Sequence, residues 1–379
     1  MNIIFDETGT LPGLQQALSQ IVQYEETQSI MILACDGNGF QKERADPILQ
    51  ALPVPVFGGV FPEILHNQQK YELGSIVVGL TDRPQTHLIE NLSRQDRDFS
   101  DYLDNLIPHT GLARTMIVLV DGLAERINDL IKGIFDILGL ELNIIGGGAG
   151  SLSFEQKPCI FTNQGLVADC AQLVLTEMKS GIGVSHGWKR ISGPYKVTSS
   201  EGNTIKTLDW QPAFDLYRKV VEQASGNQFT EDNFFEIAKA YPFGINKLEE
   251  EKIVRDPILL NEKGELVCVG EVPEGSFIDI LEGNIASLVA AAQLATERSI
   301  SSFPGESHNG FQLFIDCISR VLFMQEEFSQ ELQAVAREGI PLIGALTLGE
   351  IANSGRDYLE FYNKTAVIGL LEPIATEKH

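Results

Sequence analysis

Met116-Ile117-Val118-Leu119-Val120 is followed by an amphipathic stretch, then by Asn143-Ile144-Ile145-Gly146-Gly147-Gly148, and then by the apolar run from Ala171 to Leu175. Apolar runs of this length with β-branched residues read as buried strands, and the stretch between them has the periodicity of a helix. The same order occurs twice more. One copy runs from Ile30-Met31-Ile32-Leu33 through Pro55-Val56-Phe57-Gly58-Gly59 to Ser75-Ile76-Val77-Val78-Gly79-Leu80. The other runs from Phe311 to Ile315, through Pro341-Leu342-Ile343-Gly344-Ala345, to Thr365-Ala366-Val367-Ile368-Gly369-Leu370. Copies this far apart are duplicated modules rather than a solenoid. They predict an α/β (α+β) fold, with mixed sheets flanked by helices and two related halves built of repeated strand-helix-strand-strand units.

Outward from the copies, Leu11, Leu14, Leu18, Ile21 and Val22 have helical spacing, with Pro12 suited to a first turn. Further helices are predicted over 94–107, 230–240, 284–300 and 321–338, and in the second copy from Leu123 to Leu138, where Gly139 suits a left-handed cap. Lys196-Val197-Thr198 and Thr204-Ile205-Lys206 flank Glu201-Gly202-Asn203 as a hairpin. Asp209 and Pro212 then read as the cap and first turn of a helix carrying Phe214, Leu216, Tyr217, Val220 and Val221, and the domain boundary is placed there, giving 1–210 and 211–379.

Composition narrows the functions. The 28 basic and 52 acidic residues leave a net charge of −24, which repels nucleic acid and anionic membrane surfaces. With 43% hydrophobic residues and a mean hydropathy near zero the chain reads as globular and soluble. No run reaches membrane-spanning length and the amino-terminal residues lack signal-peptide order, so a cytoplasmic location is expected. The five cysteines form no CxxC pair and mostly sit in apolar runs, as buried reduced thiols would. No metal and no cofactor is expected.

Several stretches can carry chemistry. Gly146-Gly147-Gly148 brings backbone amides close to a ligand, as Gly58-Gly59 does in the first copy. A nucleotide site needs a helix directly after such glycines, whereas this chain runs on to Pro158 without helical periodicity; a backbone-lined pocket and a structural turn both remain open. Gly183-Val184-Ser185-His186-Gly187 spells a serine nucleophile elbow, but a hairpin rather than a helix follows it, and only His308 and His379 lie downstream as bases. His186 and Trp188 read as pocket walls. Glu63 and Glu350 follow the small-residue turns of their copies, and if the copies superpose they occupy equivalent places. There they bind an ammonium, share a proton, or act as helix-start carboxylates stabilised by backbone amides. Arg255, a base in an apolar stretch, offers a fork to a carboxylate, with Asp256 as the alternative partner. The run Glu249-Glu250-Glu251 reads as a solvated face.

Taken in order, Ile145-Gly146-Gly147-Gly148-Ala149, Val184-Ser185-His186-Gly187-Trp188, Lys196-Val197-Thr198 with Leu208-Asp209, Pro212-Ala213 and Tyr217 resemble the FIST N-terminal signature and its join to the C-terminal one. Tyr241-Pro242-Phe243-Gly244, Val254-Arg255-Asp256-Pro257, Pro273-Glu274-Gly275, Cys317-Ile318-Ser319-Arg320 and Gly349-Glu350-Ile351 resemble the FIST C-terminal pattern. The resemblance covers nearly all the chain from about residue 28. It implies a non-enzymatic sensory module for small ligands such as amino acids or related carboxylates. Because neither an output domain nor an F-box is visible, it also implies a signalling protein acting in trans. The expected ligand set, chosen on chemistry, is Gly58, Gly59, Glu63, Gly146, Gly147, Gly148, Ser185, His186, Trp188, Arg255 and Glu350, gathered in a cleft where the glycine-rich turns converge. The competing readings are a serine hydrolase using Ser185 and an acidic interaction scaffold.

Overall fold

Every residue of strand Thr115–Asp121 is buried, as a central strand covered on both faces requires. Helix Ile127–Leu138 carries the chain over to strand Asn143–Ala149, which lies parallel to it with Val118 opposite Gly146. The computed structural model describes residues 1–230, 232–247, 251–305, 310–353 and 358–373. Within them the other two copies repeat this crossover: Ser29–Cys35 pairs in parallel with Val56–Phe61, and Phe311–Cys317 with Leu342–Thr347. In each copy a later strand returns antiparallel to the first: Ser75–Leu80, Cys170–Thr176 and Ala366–Glu372 respectively.

The three sheets share one strand order, and each is completed by a hairpin from another copy. The hairpin Glu63–His66 and Gln69–Tyr71 of the first copy extends the sheet of the third, through Leu342–Thr347. Strands Ile160–Thr162 and Gly165–Val167 of the second extend the first, through Val56–Phe61, and Glu350–Ala352 and Glu360–Tyr362 of the third extend the second, through Asn143–Ala149. The exchange is cyclic, so the copies close into one body. Its shared apolar core draws Ile32 and Phe57 from the first copy, Ile117 and Ile145 from the second, and Leu313 and Ile343 from the third.

Strand Lys179–Ser185 forms the outer edge of the third sheet against Ala366–Glu372, and helix Ile285–Ser302, capped by Asn284 and Ser287, packs behind it. Between them, the described residues of 189–282 form a smaller module with its own core, which includes Val197, Tyr217, Phe243 and Ile280. Its long strand Lys189–Glu201 pairs with Thr204–Leu208 as the expected hairpin, and with Phe277–Glu282.

Local expectations fare unevenly. The opening helix is Leu11–Ile21, with Thr10 as its cap. The helix expected over 321–338 is instead two, Ile318–Met324 and Phe328–Val335, because the Gln325 backbone turns to φ 52°, ψ −124°, which no continuous helix accommodates. The helix expected over 230–240 is reduced to Phe234–Ala238, with Glu231 outside the described residues. Asp209 does not cap helix Ala213–Ser225; Pro212 stands at the cap, while the Asp209 side chain accepts a bond from the Lys196 amide. All five cysteines are buried and free.

Candidate functional site

The glycine-rich strand ends do converge, and they meet in contact. The Gly148 amide donates to the Gly349 carbonyl at 2.8 Å, and the Gly150 amide to the Val60 carbonyl at 2.8 Å. A Cβ on Gly146 would stand 1.7 Å from the Val118 carbonyl oxygen, and one on Gly148 2.9 Å from the Gly122 Cα. These glycines let neighbouring backbones approach, and their amides already have partners. Gly59 packs near Ala149 in the same way, and the Gly58 amide faces the Gln172 side chain. The hollow expected at the glycines is therefore filled by the chain itself.

Glu63 and Glu350 do not occupy equivalent places. Glu63 lies opposite Leu346 and Glu350 opposite Gly147, whereas the parallel registers match Leu346 with Gly148. A one-residue offset turns a strand side chain to the other face. Glu63 pairs with Lys70 at 2.8 Å. Glu350 is wholly buried, accepts a bond from Thr347 Oγ1 at 3.0 Å, and is pushed up to about 8 by burial. It holds its proton at neutral pH and offers no counter-charge to an ammonium.

Ser185 ends its strand and is followed by the strand Lys189–Glu201, so the strand-turn-helix setting of a nucleophile elbow is absent at this serine. Its Oγ donates to Glu251 Oε1 at 3.2 Å rather than to a histidine. His186 Nδ1 accepts the Trp188 amide at 2.9 Å, and burial lowers its pKa to about 4, so the ring is neutral. His308 and His379 lie outside the described residues, as do Glu249 and Glu250. Glu251 is no solvated face: it sits 3.6 Å from His186 Nε2 and 3.3 Å from Arg298.

Behind His186 lies a buried polar network. Arg320, fully buried, donates from Nη1 to the carbonyls of His186 at 2.8 Å and Lys364 at 3.3 Å, and pairs with Asp316 at 3.0 Å and Glu331 at 2.7 Å. Lys364 takes a left-handed backbone at φ 52°, extends its Nζ to Asp256 Oδ2 at 3.0 Å, and lies 4.8 Å from the Trp188 ring centre. Trp188 Nε1 donates to the Lys364 carbonyl at 3.1 Å, and the Thr365 amide donates to Glu350 at 3.3 Å. Residues 363–365 thus tie His186, Trp188, Glu350 and Arg255 into one connected set. Gly58, Gly59 and Glu63 stand apart from it.

Arg255 joins that set through Asn363 Oδ1 at 3.2 Å, and it also donates to the carbonyls of Glu271, Val254 and Phe361 at 2.9–3.1 Å. It is only 4% exposed, and burial lowers its pKa to about 10, which leaves it cationic at neutral pH. The alternative partner Asp256 pairs with Lys364 instead. Among the described residues no carboxylate lies within ion-pair distance of the Arg255 guanidinium, and its hydrogen bonds to these carbonyls and to Asn363 leave from Nε and Nη1. Arg255 lines a cleft of about 290 Å³ between the inserted module, helix Ile127–Leu138 and the segment 358–361. Lys132, Lys247, Glu271 and Glu360 share the lining with apolar groups, among them Phe135 and Tyr358, whose rings lie 4.8 Å apart.

Arg255 stands out in the sequence as a base alone in an apolar run. The network formed by Arg320, Lys364 and Glu251 does not stand out. Asp316 closes the strand Phe311–Cys317 and Arg320 lies in the helix Ile318–Met324 that follows it, and nothing in their local pattern shows that the packing buries both. Among the described residues no helix is long and apolar enough to cross a membrane.

Two family models match the chain. Residues 29–211 match the one described as FIST N domain, and residues 213–353 the one described as FIST C domain. No curated protein matches the chain.

Proposed function

The chain belongs to the FIST family, and on that premise we propose that it is a sensor that binds a small carboxylate at Arg255 and reports its occupancy to a separate signalling protein. FIST domains are small-ligand sensory domains of signalling proteins. The observation that carries the reading is a buried guanidinium with no ion-pair partner among the described residues, lining a cleft between two modules. Buried charges are ordinarily paired, and a bidentate fork is the protein group best matched to a carboxylate.

Position also supports a sensing role. The cleft walls come from both the cyclic body and the inserted module, so a ligand there touches the two together. Arg255 then leads through Asn363 into the segment that holds Trp188 and Arg320. A ligand shifts an equilibrium only by its differential affinity for the two states, and a tenfold preference supplies about 1.4 kcal/mol.

The test is a thermal-shift screen of the whole chain against small carboxylates and amino acids, with Arg255→Gln alongside. Ligand at one hundred times its Kd should add about 2.7 kcal/mol. The reading requires at least one acid to stabilise the wild type and none of these hits to stabilise the variant. Equal stabilisation of both would place binding elsewhere.

A further inference from the structure

Resting on the reading of Arg255 as the anchor of an acid, we propose that the cleft takes a monocarboxylate with an aromatic or branched apolar tail. The charged groups of the lining are Lys132, Lys247 and Arg255 against Glu271 and Glu360. Lys247 and Glu360 neutralise one another at 2.6 Å. Counted over the lining, three cations stand against two carboxylates, a net of one positive charge for the ligand to meet. A second acid on the ligand would find Glu271 or Glu360 already present.

The rest of the wall determines the tail. Ile131, Phe135, Ile245, Ile253, Pro273 and Tyr358 line the cleft around Arg255. Phe135 and Tyr358 are tilted at 45° with their centres 4.8 Å apart, and Tyr358 remains 54% exposed. Lys247 Nζ stands 5.9 Å over the Tyr358 ring, and the exposed part of this ring pair leaves an edge that a third ring can join edge-to-face. At about 290 Å³ the cleft lies at the small end of ligand cavities, which suits a single ring on a short acid. Small polar acids would leave this apolar wall in water.

Calorimetric titration of the whole protein with 3-phenylpropanoate, acetate and 3-phenylpropanamide tests the assignment. The expected result is at least tenfold tighter binding of 3-phenylpropanoate than of either other compound. Phe135→Leu, which keeps an apolar residue on helix Ile127–Leu138, should narrow the margin over acetate while its circular dichroism stays that of the wild type. Acetate binding as tightly as 3-phenylpropanoate would overturn the tail while leaving the acid anchor standing. An amide as tight as the acid, or silence from both acids, would overturn the anchor and the inference with it.

Discussion

Replacing Arg320 with methionine should cost the protein about 3–5 kcal/mol, because it strands two buried carboxylates. The guanidinium is wholly inaccessible and stands 3.0 Å from Asp316 and 2.7 Å from Glu331, both equally buried. Methionine fills much of the volume but returns no charge. It also leaves the carbonyls of His186, Leu288 and Lys364 without this donor. Burial already raises the pKa of both acids, and removal of the cation raises it further, so protonation offers them a partial escape. Groups whose folded pKa lies above the unfolded value lose stability as pH rises through that interval, so the deficit should be larger at pH 8 than at pH 5. Urea unfolding followed by the fluorescence of the two tryptophans gives both numbers. Adding Asp316→Asn and Glu331→Gln to the methionine variant should recover part of the loss. A deficit below about 1 kcal/mol at an unchanged m-value, or one that does not shrink in acid, would refute the account of this network.

Further outcomes follow from other residues. Glu350 is pushed up to about 8, so between the ordinary carboxylate pKa and that value the folded form retains a proton that the unfolded chain releases, and stability falls as pH rises. Glu350→Gln removes that dependence, and it should gain on the wild type about 1 kcal/mol at pH 5.5, rising to about 4 kcal/mol at pH 7.5, in urea titrations. Gly146→Ala sets a methyl 1.7 Å from a backbone oxygen in the sheet of the second copy, and limited proteolysis should show a chain that no longer folds compactly. Ser185, bonded to Glu251 and to no histidine among the described residues, should stay unlabelled by a fluorophosphonate probe under conditions that label an active serine hydrolase.

The three copies were legible because their central strands are buried on both faces and so spell uninterrupted apolar runs, as in Thr115–Asp121. The hairpin exchange was not. Glu63–His66 carries nothing in its own residues to say that its partner strand lies some 280 positions downstream at Leu342–Thr347; that pairing is decided by how the copies close on one another. The offset between Glu63 and Glu350 was hidden for a related reason, since Glu-Ile recurs in both hairpins while the ladders differ by one residue. Arg255 was visible as a charge in an apolar run. The cleft around it was not, because its walls come from residues 128–135, from Ile245, Lys247, Ile253, Glu271 and Pro273, and from residues 358–361, which only the fold brings together.

Arg255 carries the central claim, and Arg255→Lys tests it more sharply than removal of the charge. Lysine keeps the cation but loses the planar fork that grips both carboxylate oxygens, so affinity should fall at least tenfold in calorimetric titration with the tightest acid found for the wild type, while circular dichroism stays unchanged. An acid that binds the lysine variant and the wild type with equal affinity would contradict the claim that this guanidinium holds the ligand.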